Sequence, residues 1–594
     1  MTMQLSINAL HGRYRAGALD PATLVAVLRK RITVESASNI WIQTLDEAQL
    51  RPYLQALEGR GPDDLPLYGV PFAIKDNIDL TGVPTSAGCP AYAYTPGRHA
   101  GVVERLVAAG AVPMGKTNLD QFATGLVGVR SPWGAVANAF DPAYVSGGSS
   151  SGSAVAVARG MVTFSLGTDT AGSGRVPAGF NNLLGVKPTP GRWSTRGIVP
   201  ACRTLDCPSL FALNPDDAAR VAAVLDGLDP EDPYSRPGRT AAGRLQRARI
   251  GVPGEQQRQF HGDRAYAEQY QCTLERWQLQ GHELVEIDLA PLRETAALLY
   301  EGPWVAERLL TVQPLLQRDP EAVLPVIRQI LAPAQGQSAT QVFSAFYRLQ
   351  ELRRQAEQLM AGIDALLLPT APTHYRIAEV QADPLRLNSH LGHYTNFVNL
   401  LDMAALAVPS GFTAAGLPFG TTLIGPAWSD AYLLELAQRQ LQAEGFAGGG
   451  CFPEPWHCQD RPLPGRVEVV VCGAHLSGMP LNGQLTGRGG QRVAEVRSAP
   501  RYRLMALAGG PPQRPGMIRD PERGAAIEME LWSLPLEQFG GFVAEIPAPL
   551  GIGKVELEDG RWVCGFICEG IGERGAADIT ALGGWRQYLA GASR

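Results

Sequence analysis

The stretch that decides the fold runs from Ser146 to Gly179 and reads SGGSSSGSAVAVARGMVTFSLGTDTAGSGRVPAG. A glycine–serine turn opens it, a helix-like and a strand-like segment follow, and a second glycine–serine turn closes it. Glycine lets the backbone approach a ligand closely, and successive turn amides can bind a developing oxyanion. Because both serine clusters lie inside a regular helix–strand pattern, they are not a flexible linker. The stretch predicts an α/β core with a serine nucleophile.

A serine nucleophile needs a base, and residues 100–260 contain no histidine. The more distant His374, His390 and His393 could fold back as triad partners, as happens in other folds. The alternative is Lys75, one of only five lysines in a chain that otherwise uses arginine. A buried lysine can be neutral near pH 7 and accept a proton, and a second serine could bridge the distance to the nucleophile.

Lys75 also has a purely structural interpretation. It follows the apolar run GVPFAI, which is typical of a strand, and it precedes the acidic sequence DNID. A lysine at the end of a strand could pair with Asp76 or Asp79, and the local sequence does not decide between this role and that of a base.

Two other motif matches point to different chemistry. Residues 110–117, GAVPMGKT, match the phosphate-loop pattern, but the strand-like AVPM occupies the supposed loop and Pro113 lacks one of the amides that a phosphate needs. Gly148, Ser150 and Gly152 match the G-x-S-x-G elbow of α/β-hydrolases, which requires a strand directly before it. The preceding FDPAYVSG is turn-like, so the sequence favours neither a nucleotide site nor this elbow.

Composition excludes several classes of protein. The 594 residues carry a net charge of −5 without a basic run, which predicts no nucleic-acid or membrane-surface partner. No apolar stretch reaches about 20 residues, and the first residues lack the apolar core of a secretory signal. Nine cysteines without a C-x-x-C pair predict reduced thiols in the cytoplasm and no metal site.

Periodicity predicts two domains. Strands and helices alternate from about residue 65 to 225, and residues 262–363 are rich in helices. The aperiodic stretch GGGCFPEPWHCQDRPLPGR predicts a boundary, because glycine and proline interrupt regular structure. We place a first domain at 1–455, a linker at 456–465 and a smaller β-rich domain at 466–594.

Six ordered segments resemble the amidase signature hydrolases over roughly residues 20–445. They are GVPFAIKDNID, GAVPMGKTNLDQFA, SGGSSSGSAVAVA, GTDTAGSGRVPAGFNNLLGVKPTPGR, TNFVNLLDMAALAVPSGF and GLPFGTTLIGP. The resemblance implies the amidase signature fold, an α/β architecture with a mixed central sheet covered by helices. It also implies that GAVPMGKT is a structural helix–strand turn rather than a phosphate loop.

The same resemblance implies the residues of the active site. The family uses a Ser–cis-Ser–Lys triad, which on this chain gives Ser173 as nucleophile, Ser149 as the bridging serine and Lys75 as base. The implied oxyanion hole consists of the backbone amides of Thr170, Ala171, Gly172 and Ser173.

The C-terminal part resembles the second domain of the allophanate hydrolases, in segments such as VCGAHLSGMPLNGQL and YRLMALAGGPPQRPGMIRD. This resemblance implies allophanate (urea-1-carboxylate) as the substrate, no metal or cofactor, a homodimer, and a functional link to a separate urea carboxylase. It implies that Tyr300 and Arg308 hold the substrate carboxylate and that His475 takes part in a later decarboxylation. The structural alternatives are one helix face for Tyr300 and Arg308, and a strand-end histidine for His475.

Three other functions remain open on the sequence. They are a general amidase acting on another small amide, an amidotransferase component that delivers ammonia to charged tRNA, and a β-rich binding module fused to an inactive amidase. The sequence also leaves open whether allophanate would come from urea carboxylation or from triazine breakdown.

Overall fold

The structure, a computed structural model, describes residues 4–238, 248–453, 456 and 466–592. The chain forms two compact units, whose described residues fall within 4–456 and 466–592. The predicted linker at 456–465 lies outside the described residues, apart from Trp456. No helix in the described ranges is both long and apolar enough to cross a membrane.

The described part of the first unit contains one eleven-stranded mixed sheet. Its strands are β1 (Trp41–Thr44), β2 (Pro71–Lys75), β3 (Val112–Thr117), β4 (Phe164–Asp169), β5 (Leu184–Lys187), β6 (Cys207–Ala212), β7 (Arg249–Pro253), β8 (Glu283–Ile287), β9 (Ala365–Pro369), β10 (Ala404–Phe412) and β11 (Pro418–Gly425). Their order in the sheet is β1-β3-β2-β4-β6-β5-β10-β11-β9-β7-β8. β2 runs parallel to both β3 and β4, whereas β6 and β5 are antiparallel to their neighbours.

Helices pack on this sheet, for example α5 on β2, β3 and β4. The helices are α1 (Ile7–Arg15), α2 (Pro21–Val34), α3 (Glu47–Gln55), α4 (Gly101–Ala108), α5 (Ser151–Ala158), α6 (Val176–Phe180), α7 (Pro215–Leu225), α8 (Arg264–Leu279), α9 (Ala290–Glu301), α10 (Trp304–Arg318), α11 (Pro325–Leu331), α12 (Ala339–Met360), α13 (Ile377–Ala382), α14 (Arg386–Leu391), α15 (Phe397–Leu400) and α16 (Asp430–Ala443). The segment predicted to be rich in helices, 262–363, holds α8 to α12 and also the strand β8, which the sequence analysis did not predict.

The central strands are buried along their whole length, including every residue of β2, β3 and β4. Strands covered on both sides are apolar throughout instead of alternating, which explains runs such as GVPFAI. Lys75 ends such a strand, so its side chain lies in the interior. Because β2 and β4 are parallel neighbours, their carboxyl ends meet, and the residues that follow them share one edge of the sheet.

The phosphate-loop match is a strand. Residues 112–117 form β3, and Lys116 Nζ lies 3.2 Å from Asp76 Oδ1 in a buried ion pair. Gly115 is required there because a Cβ atom would lie 2.3 Å from the carbonyl oxygen of Gln43 on β1. The second glycine and the lysine of the motif therefore have structural roles.

The second unit contains two smaller sheets. Its strands and helices are β12 (Arg466–Val471), α17 (Asn482–Thr486), β13 (Gln491–Arg497), β14 (Tyr502–Ala506), β15 (Pro515–Arg519), β16 (Glu528–Pro535), α18 (Leu536–Ala544), β17 (Leu550–Glu556), β18 (Trp562–Cys568), β19 (Ala577–Asp578) and α19 (Trp585–Ala592). One sheet has the order β13-β16-β12-β18-β17 and the other β15-β14-β19. The predicted fold class, a mixed sheet with helices followed by a smaller β-rich α+β domain, is confirmed.

Candidate active site

Three buried side chains, joined by hydrogen bonds, form a relay at the carboxyl ends of β2 and β4. Lys75 Nζ lies 2.8 Å from Ser149 Oγ, and Ser149 Oγ lies 3.0 Å from Ser173 Oγ. Lys75 ends β2, Ser149 lies just before α5, and Ser173 lies in the turn after β4. The Gly148–Ser149 peptide bond is cis. The structure thus brings together all three residues of the predicted triad.

The environment of Lys75 favours its neutral form. Burial lowers the pKa of Lys75 to about 7, against the attraction of the carboxylates of Asp120, Asp206 and Asp169. Its other hydrogen-bond partner is the hydroxyl of Thr168, at 2.7 Å. The alternative pairing with Asp76 is not formed, because Lys116 occupies that carboxylate. A lysine in this state can exchange a proton with Ser149 near neutral pH.

A buried ion pair shapes the turn that carries Ser173. Asp169 Oδ2 accepts a hydrogen bond from Arg175 Nε at 2.9 Å, and both groups are fully buried. The same carboxylate accepts the amides of Gly172 at 2.9 Å and Gly174 at 3.0 Å. Gly172 has a φ of +134° and lies against Thr395, so that no other residue fits there. The turn is therefore rigid.

The predicted oxyanion hole needs one correction. Because the amide of Gly172 donates to Asp169, it is not free to bind an oxyanion. Among the described residues, no acceptor lies opposite the amides of Thr170, Ala171 and Ser173. Three of the four predicted amide donors, those of Thr170, Ala171 and Ser173, are therefore available to bind an oxyanion.

Asp206 also stabilises the turn that carries Ser173. Its buried carboxyl accepts a hydrogen bond from the Thr170 hydroxyl and another from the amide of Ala201 at 2.8 Å. Burial raises the pKa of Asp206 to about 6, against the opposing effects of these hydrogen bonds and of Arg308. The contact with Thr170 holds the first of the free amides in place.

Tyr300 and Arg308 lie on two different helices. Tyr300 belongs to α9 and Arg308 to α10, and the chain turns between them at Gly302 and Pro303, so the interpretation as a single helix face is wrong. Arg308 is only 2% exposed, and its guanidinium lies 5.3 Å from the centre of the Tyr300 ring. Among the described residues, the Arg308 side chain makes one hydrogen bond, to Thr124 Oγ1, and it is long at 3.4 Å.

Arg308 has no carboxylate in direct contact among the described residues, although the buried carboxyl of Asp206 acts on it electrostatically. Within the described ranges it forms no ion pair, and its Nε has no hydrogen-bond partner although it is buried. A buried arginine stays charged and is normally paired with an acid. An anionic group of a ligand would complete this site, and a carboxylate matches the geometry of a guanidinium.

The distant histidines have other contacts. His374 Nε2 lies 2.7 Å from the carbonyl oxygen of Val145, and His390 Nδ1 lies 2.7 Å from the hydroxyl of Tyr375. His393 packs edge-on against Tyr394. In the described part of the chain none of the three contacts a serine of the relay. Ser150, the serine of the apparent elbow, is bonded to the backbone of Thr168.

His475 lies in the second unit and is enclosed by packing. Its ring stacks on Phe566 at 4.8 Å and meets Phe542 edge-on at 5.5 Å. Its Nε2 lies 2.8 Å from Gln484 Oε1, and burial lowers the pKa of the imidazole. Two cavities of about 540 and 420 Å³ occur in this unit, and His475 is not among the residues that line them.

Sequence reasoning missed three residues that shape the first site, namely Thr168, Asp169 and Asp206. Thr168 and Asp169 lie in the quoted stretch, at the end of β4 and directly before the second glycine–serine turn, and this position could have drawn attention to them. Asp206 lies 33 residues beyond Ser173, and no local pattern relates the two. Only the pairing of β4 with β6 brings Asp206 next to the turn.

Comparisons with known proteins identify the family of each unit. A model of the amidase family matches residues 22–434, and a model of the allophanate hydrolase C-terminal domain matches residues 467–590. The urea amidolyase of Saccharomyces cerevisiae is 44% identical over 575 residues, which are 94% of this chain and 31% of the yeast protein. The chain therefore spans about a third of the length of that curated relative.

Further relatives extend the comparison. The urea amidolyase of Lachancea kluyveri is 43% identical, over 96% of this chain and 32% of the relative. Among solved structures, the allophanate hydrolase of Kluyveromyces lactis superposes with a TM-score of 0.83 at 40% identity, over 100% of both chains. The chain belongs to the amidase signature family and carries, in its second unit, the allophanate hydrolase C-terminal domain.

Proposed function

We propose that this protein hydrolyses allophanate at its terminal amide. The Lys75–Ser149–Ser173 relay supports the reaction type, amide hydrolysis through an acyl-enzyme. The unpaired guanidinium of Arg308 supports the substrate class, a small amide with a carboxylate. The similarity to the K. lactis allophanate hydrolase over the whole chain selects allophanate within that class.

The first step is attack by Ser173 Oγ on the terminal amide carbonyl. Ser173 passes its proton to Ser149, which passes its own to neutral Lys75, so no free alkoxide forms. The amides of Thr170, Ala171 and Ser173 stabilise the oxyanion. On collapse, the proton returns through Ser149 to the leaving nitrogen, the C–N bond breaks and ammonia departs.

The second step is hydrolysis of the acyl-enzyme. Water attacks the acyl carbon, its proton follows the same relay, and Ser173 leaves with a proton restored. The product, N-carboxycarbamate, takes up a proton and loses carbon dioxide to give carbamate, which takes up a second proton and breaks down to the second ammonia and a second carbon dioxide. We propose that the second unit assists this loss through His475. Carbon dioxide release timed against the first ammonia measures that contribution.

The relatives bear on the source of allophanate. The urea amidolyases are named for urea, which favours a urea carboxylase over triazine breakdown as the upstream activity. We propose a homodimer for the active form, and light scattering of the purified protein measures its mass directly.

The test of the proposed function is a comparison of allophanate with biuret. Biuret is the same molecule with its carboxylate replaced by a carboxamide, so the pair differs in charge and hardly in shape. Ammonia release should be strongly selective for allophanate. Equal turnover of both compounds, or turnover of simple amides only, would leave a general amidase and refute the proposal.

Activity should depend on pH through Lys75. Because only the neutral amine accepts a proton and its pKa is about 7, kcat/KM for allophanate should rise about tenfold per pH unit below pH 7 and level off above it. Ammonia release measured from about pH 5.5 to 9, corrected for uncatalysed decay of allophanate, checks this. A rate that falls as the pH rises through 7 contradicts the role of Lys75 as the base.

Removing the cation of the carboxylate site should weaken substrate binding. We expect Arg308→Met, which keeps much of the apolar side chain, to lower kcat/KM for allophanate by about 10²-fold or more, mainly through KM. Turnover of biuret should change little. Arg293→Met, on α9, is the control. A drop in kcat at unchanged KM would place Arg308 outside the binding site.

A further inference from the structure

A second buried arginine, Arg130, shares a contact residue with Arg308. Arg130 is 3% exposed, and it forms no ion pair within the described residues. Its guanidinium donates to two backbone carbonyls, from Nη1 to Thr124 at 2.9 Å and from Nη2 to Pro384 at 2.5 Å. Its Nε is buried without a hydrogen-bond partner among them. The carboxylate of Asp120 attracts this guanidinium without forming an ion pair with it, so no direct contact with an acid holds the side chain in place.

Thr124 links this arginine to the proposed substrate site. Its carbonyl accepts from Arg130, and its hydroxyl accepts from Arg308 Nη1 at 3.4 Å. The carbonyl oxygen of the next residue, Gly125, lies 3.5 Å from Ser173 Oγ. Thr124 and Gly125 therefore connect the two arginines to the nucleophile.

The two guanidiniums and the Tyr300 ring act on one region. Arg130 interacts electrostatically first with the carboxylate of Asp120, and then with Tyr300 and with Arg308, which carries the same charge as Arg130. The two like charges repel each other in this low-dielectric site, while the carboxyl groups of Asp120 and Asp206 attract them. A carboxylate compensates both charges, whereas a neutral group of the same shape compensates neither.

We propose that Arg130 is a positioning residue that determines the specificity of this site for amides bearing a carboxylate. It holds the Thr124 carbonyl, so that the Thr124 hydroxyl orients Arg308, and it adds a second positive charge that disfavours neutral substrates. This inference rests on the proposed function and deepens it. Arg130 itself does not have to touch the substrate.

The backbone of Arg130 is held independently of its side chain. The buried carboxylate of Asp120 accepts the amide of Arg130 at 2.9 Å, and also the amides of Val127 and Gly128. A change confined to the Arg130 side chain therefore leaves the anchors of this loop in place. The side chain can be tested without removing the loop.

The experiment measures kcat and KM for allophanate and biuret in the wild type and in Arg130→Met. We expect kcat/KM for allophanate to fall about 10- to 100-fold, mainly through KM, and the value for biuret to change less than about threefold. Arg130→Lys keeps the charge but cannot reach both carbonyls. Its kcat/KM for allophanate should lie between the values of the wild type and of Arg130→Met. A purely structural role would instead lower kcat for both substrates alike.

Arg105→Met is the matched control. Arg105 also donates to two backbone carbonyls, of Leu225 at 2.7 Å and Leu228 at 3.1 Å, but it does so between α4 and α7. Its loss should leave the ratio of allophanate to biuret turnover unchanged. If Arg130→Met does not fold, Thr124→Val removes the hydroxyl that orients Arg308 while keeping the shape, and it should lower the same ratio.

The outcomes separate the inference from the function on which it rests. A wild-type ratio near one refutes the proposed function and the inference together. A high wild-type ratio that Arg130→Met, Arg130→Lys and Thr124→Val all retain overturns the inference alone. A ratio that falls in these variants, with Arg105→Met unchanged, supports both.

Discussion

Replacing Ser173 with alanine is expected to lower ammonia release from allophanate by roughly 10⁴- to 10⁶-fold, because the acyl-enzyme can no longer form. The substitution removes one hydroxyl whose contacts are Ser149 Oγ at 3.0 Å and the Gly125 carbonyl at 3.5 Å. The fold of the turn does not depend on this hydroxyl, since Asp169 holds the turn through the amides of Gly172 and Gly174. Binding of allophanate should therefore persist, and calorimetry on the inactive variant measures it.

Ser151→Ala is the control within the same serine cluster. Ser151 begins α5, and its hydroxyl makes one long contact, 3.4 Å to the carbonyl of Asn118. Its activity should stay within about threefold of the wild type, because this hydroxyl takes no part in the relay. A Ser173→Ala protein that keeps a tenth of the activity would exclude Ser173 as the nucleophile.

Replacing Lys75 with methionine should reduce kcat by roughly 10³- to 10⁵-fold, since nothing then accepts the proton of Ser149. The buried methionine fills most of the same space, so the protein should remain folded. Lys75→Arg should be equally inactive, because a guanidinium keeps its proton at every accessible pH. The residual rate of either variant should also lose the dependence on pH near 7.

Lys187→Met is the control for the loss of a buried lysine. Lys187 ends β5, and its Nζ donates to the carbonyl of Pro188 at 2.7 Å, without contact to the relay. We expect this variant to lose stability, visible as a lower Tm, and to keep kcat within about tenfold. Equal losses of kcat in Lys75→Met and Lys187→Met would mean that Lys75 acts through stability alone.

The sequence was sufficient for the kind of chemistry and for its approximate place in the fold. Glycine–serine turns around a helix and a strand, an apolar run that ends in a lysine, and the absence of histidine from 100–260 are local features. They depend on backbone freedom and on hydrophobic periodicity, which neighbouring residues determine. The strand at Pro71–Lys75 and the helix at Ser151–Ala158 were predictable for this reason.

Other properties exist only in the folded chain. The amide of Gly172 is unavailable to the proposed oxyanion hole because it donates to the carboxylate of Asp169, whose orientation Arg175 fixes. The pKa of Lys75 falls because helices and strands far apart in sequence exclude water from it.

The proposed substrate site also combines features that the sequence reveals with features that exist only in the folded chain. Tyr300 and Arg308 were selected through the resemblance to the allophanate hydrolases, but the lack of a direct ion pair at Arg308 and the nearby Arg130 became visible only in three dimensions. A sequence states which charges are present and their order along the chain. Which of them are paired depends on distances across the fold and on burial, because both determine the strength of an electrostatic interaction. The tertiary structure alone therefore decided that, among the residues it describes, two buried arginines near Ser173 form no direct ion pair.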